Sequence, residues 1–304
     1  MKMFLGVDWG GTYIKAGVVD YRGKIVKSEV FASKGLRKKQ VFIREIKGLL
    51  SRFRKYKIRA VGIGAPGIID TKKGFIYYLP NIPGWKNYPL RGILRRQLRL
   101  PIYIDNDANL FALAEASLGA GKGAKCVIFL TLGTGLGGAV ILDGKILEAA
   151  TSACELGHTP LSIGGQVCGC GGRGCIETFV GNKYLLENYR KLKKNKAEAR
   201  GVKEIFQRAL AGEAEATVVW ENFAEALGMF LSGMVNIFNP EVIVFGGGIS
   251  GAFRLFKPLV ARVIKQQAMW PQVKGLKLVR AKLKDAGIIG AALLAKRGHY
   301  ETIH

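Results

Sequence analysis

Two stretches of this chain, far apart in sequence, follow one plan, and nothing else in it restricts the fold so much. Residues 4–26 read FLGVDWGGTYIKAGVVDYRGKIV and residues 129–147 read FLTLGTGLGGAVILDGKIL. In each, an apolar strand meets a glycine-rich turn carrying a threonine. A second apolar strand follows, then a turn with Asp and Gly, and Gly-Lys-Ile opens a third strand. Behind the first copy come a basic helix and the strands AVGIGAP and IYID; behind the second come helices around residues 204–238 and the strand EVIVFGGG. A repeated meander followed by alternating helices and strands predicts a duplicated α/β fold, two lobes facing each other across a cleft. The segment DAGIIGAALLAKRG, residues 285–298, predicts a helix stopped by its last glycine and packed back on the first lobe. The expected division is a small N-terminal lobe of residues 1–107 plus 287–304 and a large lobe of residues 108–286.

Composition agrees with two medium domains and narrows the partners. The 304 residues are 49% hydrophobic and 23% charged, an ordinary globular balance. The sequence runs from Met1 into an apolar strand without a leader pattern, so a cytosolic chain beginning at Met1 is expected. The longest uncharged run, residues 126–142, is broken by glycines and threonines and reads as strand, turn and strand, not as a membrane span. A formal charge of +25 would point to nucleic acid if it were interleaved with aromatic residues. Residues 34–59 hold eleven Lys or Arg, but Phe42, Ile46, Leu49, Leu50 and Phe53 recur there at helical spacing, which puts the charge on the wet face of an amphipathic helix. A basic surface with no nucleic-acid or membrane partner is the expectation.

The glycine turns point to phosphate chemistry. Residues 62–67 (GIGAPG) and 133–138 (GTGLGG) fit G-x-G-x-x-G, but a dinucleotide fingerprint must open a helix, and these run into Pro66 and into the strand AVIL. Glycine lets backbone N–H groups approach phosphate oxygens, and Thr12 and Thr134 add hydroxyl donors, so the two matched turns predict a clamp on a polyphosphate. Asp8, just before Gly10, is placed to hold Mg²⁺ through water, and Lys15 adds charge. Gly246, Gly247 and Gly248 follow the strand VIVF and suit close passage of a flat adenosine. On the acceptor side, IYID runs into Asp105, Asn106 and Asp107 where an apolar-periodic helix begins. One such residue serves as an N-cap, and a carboxylate at this strand end can also accept a hydroxyl proton in phosphoryl transfer. The residues alone leave Asp105 and Asp107 as alternatives.

Five cysteines in a chain without an export signal favour metal binding or buried thiols over disulfides. Cys126 opens the apolar run CVIFL and is expected in the core. His158, Cys168, Cys170 and Cys175 form a Cys₃His set that closes a tetrahedral Zn²⁺ shell, so the metal of segment 155–177 is structural. Such a site supplies folding energy on the order of 10 kcal/mol. Glu155 and Glu177 bracket the set and are placed to accept hydrogen bonds from vicinal hydroxyls.

Together these motifs resemble the ROK family, the repressors and sugar kinases of the actin-like ATPase superfamily. The resemblance rests on Glu155-Leu-Gly157-His158 and on Cys168-Gly-Cys170-Gly-Gly-Arg-Gly174-Cys175-Ile-Glu177. It extends to DWGGT at 8–12, GAPG at 64–67, PNIPGW at 80–85, DNDAN at 105–109 and GTGLGG at 133–138. It implies an actin-like ATPase (ribonuclease H-like) fold with Asp107 as catalytic base. It also implies Gly67, Asn81, Asn106, Asp107, Glu155, His158 and Glu177 as sugar contacts. Gly10, Gly11, Thr12, Thr134 and Gly135 match phosphate contacts, and Gly246, Gly247 and Gly248 the nucleoside side. His158 would bind zinc through one ring nitrogen and sugar through the other. One departure is Cys154, where the family usually has glycine before the signature glutamate. PNIPGW is most like the bacterial glucokinase branch. The implied activity is ATP- and Mg²⁺-dependent phosphorylation of a hexose on its 6-hydroxyl, glucose foremost, in a homodimer. N-acetylmannosamine, N-acetylglucosamine and fructose are the alternative sugars. A repressor of the family carries a helix-turn-helix ahead of this body. Here the first strand begins at Met3, and DWGGT with Asp107 favours an enzyme over a sugar-sensing regulator.

Overall fold

The computed structural model describes residues 2–36, 38–80, 82–148, 154–194 and 199–301. The chain divides into two compact units, one made of Met1–Gly123, Gly144–Cys154 and Lys282–His304, the other of Ala124–Asp143 and Glu155–Ala281. The first repeat copy folds as β1 (Met3–Trp9), β2 (Tyr13–Asp20) and β3 (Ile25–Ala32), followed by helix α1 (Lys39–Arg52) and β4 (Ile58–Ala65). A small sheet of β5 (Ile68–Asp70), β6 (Phe75–Tyr78) and β7 (Lys86–Tyr88) comes next, then α2 (Leu90–Leu98), β8 (Ile102–Asn106) and α3 (Asp107–Leu118). The second copy supplies β9 (Cys126–Leu132), β10 (Leu136–Leu142) and the short β11 (Lys145–Ile146). After it come α4 (Glu177–Val180), α5 (Asn182–Leu192), α6 (Val202–Leu210), α7 (Ala214–Phe238) and β12 (Val242–Gly246). The chain closes with α8 (Phe253–Gln267), α9 (Trp270–Val273), β13 (Lys277–Arg280) and α10 (Ala286–Glu301).

The duplication seen in the sequence is one of topology. In the first unit the strands run β3-β2-β1-β4-β8, with β1 antiparallel to β2 and parallel to β4, and β4 parallel to β8. In the second, β10-β9-β12-β13 repeats the order β2-β1-β4-β8 with the same directions. Cys126 is buried at the start of β9, as its apolar run implies, with Sγ 3.3 Å from the Phe238 carbonyl. Among the described residues no helix is long and apolar enough to cross a membrane.

Both faces of β1 are covered, which explains its nearly continuous apolar sequence. Leu5, Val7 and Trp9 join a core with Phe42, Ile46 and Leu49 of α1, while Phe4 on the other face joins Ile288, Ala292 and Ala295 of α10. Trp9 stacks on Phe42 with ring centroids 3.9 Å apart, and Trp85 meets it edge-on at 4.7 Å. The charged side of α1 is wet, with Arg44 and Lys47 exposed. Small residues bring α10 unusually close: a Cβ at Gly62 would lie 1.8 Å from the Ala291 carbonyl oxygen, and one at Gly290 1.8 Å from that of Leu110. Two expectations meet a different outcome here. Gly298 does not stop the terminal helix, which continues to Glu301; a Cβ at 298 would lie 2.0 Å from the Tyr103 ring, so the glycine serves contact, not termination. The division between units also falls beyond residue 107, because Leu110 and Leu113 of α3 pack on Ala291 and keep that helix with the first unit.

Candidate active site

In the first unit the β1–β2 turn is closed by the Gly10 N–H, which donates to the Tyr13 carbonyl at 3.0 Å. A Cβ at Gly11 would meet nothing within 4 Å and Thr12 is exposed, so the tip of the turn is uncovered. Asp8 sits opposite Lys15 in the ladder and is half-buried against the start of α10, where a Cβ at Gly287 would lie 2.4 Å from its Cγ. Lys15 Nζ reaches Asp285 Oδ1 at 2.9 Å. Burial raises the Asp8 carboxyl above its ordinary value, Lys15 pulls it down, and Asp285 adds a smaller push upward. Asp285 and Gly287 are contacts that the sequence does not mark. Their only signal was Asp-Ala-Gly at the head of the last helix, which reads as helix alone.

At the end of β8 the two candidate acids have different surroundings. Asp105 is buried; its Oδ1 accepts from the Asn106 N–H at 2.6 Å and from Asn109 Nδ2 at 2.8 Å. Loss of water pushes its pKa up to about 6 against those two donors, which pull it down. Asn106 is the N-cap of α3: Oδ1 accepts from the Ala108 N–H at 2.8 Å, and Nδ2 donates to the Gly67 carbonyl at 3.2 Å. Asp107 opens α3 half-buried, with Oδ1 accepting from the Ala108 N–H at 2.9 Å. Gly67 and Asn106 are thus brought together beside Asp107, with Asp105 buried and hydrogen-bonded next to them. Asn81 lies outside the described residues.

In the second unit the cysteine segment is a knot of short bonds. The Cys168 N–H donates to the Gly172 carbonyl at 2.8 Å, the Gly174 N–H to Gln166 at 2.9 Å, and the Ile176 N–H to Thr159 at 2.9 Å. The ligand atoms of His158, Cys168, Cys170 and Cys175 all lie within 4.8 Å of one another. A tetrahedral zinc with bonds of about 2.0–2.3 Å sets its ligands roughly 3.5–4 Å apart, so the four fit one ion. His158 turns Nδ1 toward Cys168 Sγ at 3.5 Å, which leaves Nε2 for another partner. Burial pushes the Cys175 thiol up to about 12 and raises Cys168, whereas the Gly172 N–H pulls Cys170 down. Three thiols so close ionise together only when a cation shares their charge.

Glu155 precedes the short turn Leu156–His158, and its carbonyl accepts from the His158 N–H at 3.0 Å. Its carboxyl is raised by loss of surrounding water; His158 opposes this and Glu177 adds to it. Glu177, at the start of α4, accepts from the Leu136 N–H at 3.0 Å through Oε2, beside Gly135. Thr134 is exposed at the tip of that turn. Gly247 has φ of +79°, and a Cβ there would lie 2.3 Å from the Leu132 carbonyl oxygen, so the glycine run crosses the end of β9 next to the same turn. Gly248 has open space beside it. No sequence signal marks the contact of Glu177 with the turn, 41 residues away.

A duplicated mixed sheet with glycine turns at matched strand ends, an acid at one helix start and a Cys₃His knot define an α/β protein of the actin-like ATPase fold. The ROK family pattern matches residues 4–298, and the chain belongs to the ROK family. A glucokinase of Thermotoga maritima is 35% identical over 310 residues, 96% of each chain. A xylose repressor of Caldicellulosiruptor bescii is 33% identical over 94% of this chain and 75% of its own length. The crystal structure of a ROK family glucokinase from Streptomyces griseus with glucose and AMPPNP matches with a TM-score of 0.81 at 29% identity, over 97% of this chain and 100% of that one.

Proposed function

We propose that this chain is an ATP-dependent hexose kinase acting on the 6-hydroxyl, with glucose the preferred sugar. The observation that supports the reading is the end of β8, where the Asp105 carboxylate accepts from Asn106 and Asn109 and Asp107 opens the first turn of α3 half-buried, in the position the reading gives to the proton acceptor. The sugar 6-oxygen attacks the γ-phosphorus in line, Asp107 takes the hydroxyl proton, and the bond from that phosphorus to the bridging oxygen breaks to release ADP. Thr12, Thr134 and the amides of Gly10, Gly11 and Gly135 stabilise the phosphate oxygens, and Gly246, Gly247 and Gly248 lie along the nucleoside. Gly67, Asn81, Asn106, Glu155, His158 and Glu177 receive the sugar hydroxyls. Magnesium entering with the nucleotide supplies charge neutralisation, and Asp8, with Lys15 beside it, would hold its water shell. Zinc held by His158, Cys168, Cys170 and Cys175 is structural and fixes the His158 ring. The same reading makes the chain a cytosolic homodimer, and the glucokinase relative supports glucose.

The similarity to a xylose repressor favours one second reading, a regulator that binds sugar without turning it over. An ATP-coupled assay over glucose, mannose, fructose, allose, N-acetylglucosamine and N-acetylmannosamine separates the two. ADP release with formation of glucose 6-phosphate is expected; sugar binding without ATP turnover for any of them would replace the kinase by the regulator.

A further inference from the structure

We propose that Glu177 is a positioning residue that links the metal cluster to the phosphate turn, so that metal occupancy controls nucleotide binding as well as sugar binding. The inference rests on the reading of the Cys₃His cluster as a zinc site and of the β9–β10 turn as a phosphate contact.

Every contact involved lies in the second unit. The start of α4 is tied to a metal ligand, because both the N–H and the hydroxyl of Thr178 donate to the Cys175 carbonyl at 2.8 Å. From that anchored turn Glu177 sends its two oxygens different ways: Oε1 lies 3.8 Å from Cys168 Sγ, and Oε2 accepts from the Leu136 N–H at 3.0 Å. The segment that follows holds the rest of the turn. The Asn182 N–H donates to the Gly133 carbonyl at 2.9 Å, and Gly181 lies so near that its Cβ would be 3.0 Å from the Thr134 carbonyl oxygen. Within the turn itself, the Gly133 N–H donates to the Gly135 carbonyl at 3.0 Å.

Gly135 takes on a second meaning here. A Cβ on it would lie 2.0 Å from Glu177 Oε2, so the glycine makes room for the carboxylate, whatever it does for phosphate. A bond from an amide to an ionised carboxylate is stronger than a neutral one. Without an ion, the ligand side chains lose their common centre, and the glycine-rich loop that carries them gains freedom. Glu177 then loses its fixed position, and the Leu136 amide its acceptor.

The test compares hydrogen exchange at the Leu136 amide in zinc-loaded protein, in the same protein after chelation, and in zinc-loaded Glu177→Ala, with the Val244 amide of β12 as reference. Chelation and Glu177→Ala are each expected to speed Leu136 about tenfold or more relative to Val244. AMPPNP affinity measured without sugar should fall by a similar factor, and Glu177→Ala should keep its zinc. Unchanged exchange at Leu136, or equal AMPPNP affinity with and without zinc, overturns the proposal. If Glu177→Ala opens both amides together, Glu177→Gln decides: its amide oxygen can accept from Leu136, so protection should return, and no recovery overturns the link. Metal-dependent protection of Leu136 in a protein that phosphorylates no sugar would sustain the link and remove the kinase reading. Sugar phosphorylation with metal-independent protection would do the reverse.

Discussion

The same four strands end in different chemistry in the two units. In the first, β1 carries Asp8 and β8 delivers Asp105, Asn106 and Asp107 to the head of α3. In the second, β9 stops at Leu132 before a glycine, β12 runs into Gly247 and Gly248, and β13 ends in the exposed Arg280. Acids therefore occupy the strand ends of one copy only. The two glycine turns share an internal backbone bond and an exposed tip but differ in support: the second is also held by Glu177 and Asn182. A duplicated frame fixes where loops emerge, and the residues at each strand end divide the labour. On the proposed reading, proton transfer and cation binding would fall to the first unit and metal bracing to the second, with both supplying groups to the sugar hydroxyls.

That division breaks most severely if proton transfer does not depend on the first unit. Asp107→Asn is expected to lower kcat by about 10²–10⁴-fold, with thermal unfolding unchanged. Turnover near that of the unaltered protein would end the assignment. The second unit answers to a different change. Cys170→Ser alters an exposed ligand, so its effect reports the ion and not core packing. Metal analysis should show zinc lost, and denaturant unfolding a cost on the order of 4 kcal/mol. Full zinc content in that variant would remove Cys170 from the ligand set.

How much of this could be read from the residues depended on distance along the chain. The repeat was legible because strand, turn and strand are local, and Asp8, Thr12 and Thr134 sit within them. The Cys₃His set was legible because its ligands span a short loop and thiols have few other uses in such a pattern. Residue type alone left Asp105 and Asp107 as alternatives, since both are Asx residues at one strand end, and only the family resemblance pointed to Asp107. The structure adds the bond from Asn109, one helical turn on, which engages the Asp105 carboxylate within the fold. Asp285 was illegible: its partner Lys15 is 270 residues away. Gly298 shows the limit of single letters, because a glycine at a helix C-terminus reads as a stop whether it ends the helix or admits a Tyr103 ring.

Asp105 also ties the stability of the first unit to mild acid. Its pKa is about 6 in the folded chain against an ordinary 3.8. Between those values the folded state binds the extra proton, so stability falls as pH rises through the window and is restored on acidification. The expected contribution is about 3 kcal/mol. Asp105→Asn should flatten this part of the pH–stability curve from urea unfolding; an unchanged slope would show that the burial of Asp105 costs nothing.

The smallest expected effects test the turns directly. Neither Gly11 nor Gly135 has a positive φ, so alanine brings no backbone strain at either position and only the surroundings differ. At Gly135 the new Cβ would lie 2.0 Å from the Glu177 carboxylate, which must move and release Leu136. At Gly11 it meets nothing within 4 Å. Gly135→Ala is therefore expected to destabilise by at least about 1 kcal/mol, and Gly11→Ala by less than about 0.5 kcal/mol. The comparison is sharpest in paired thermal melts, where 1 kcal/mol moves Tm by about 2–4 °C for a large domain. Equal shifts for the two variants would mean that the second turn is no more tightly braced than the first, and the contrast between the units would reduce to their acids.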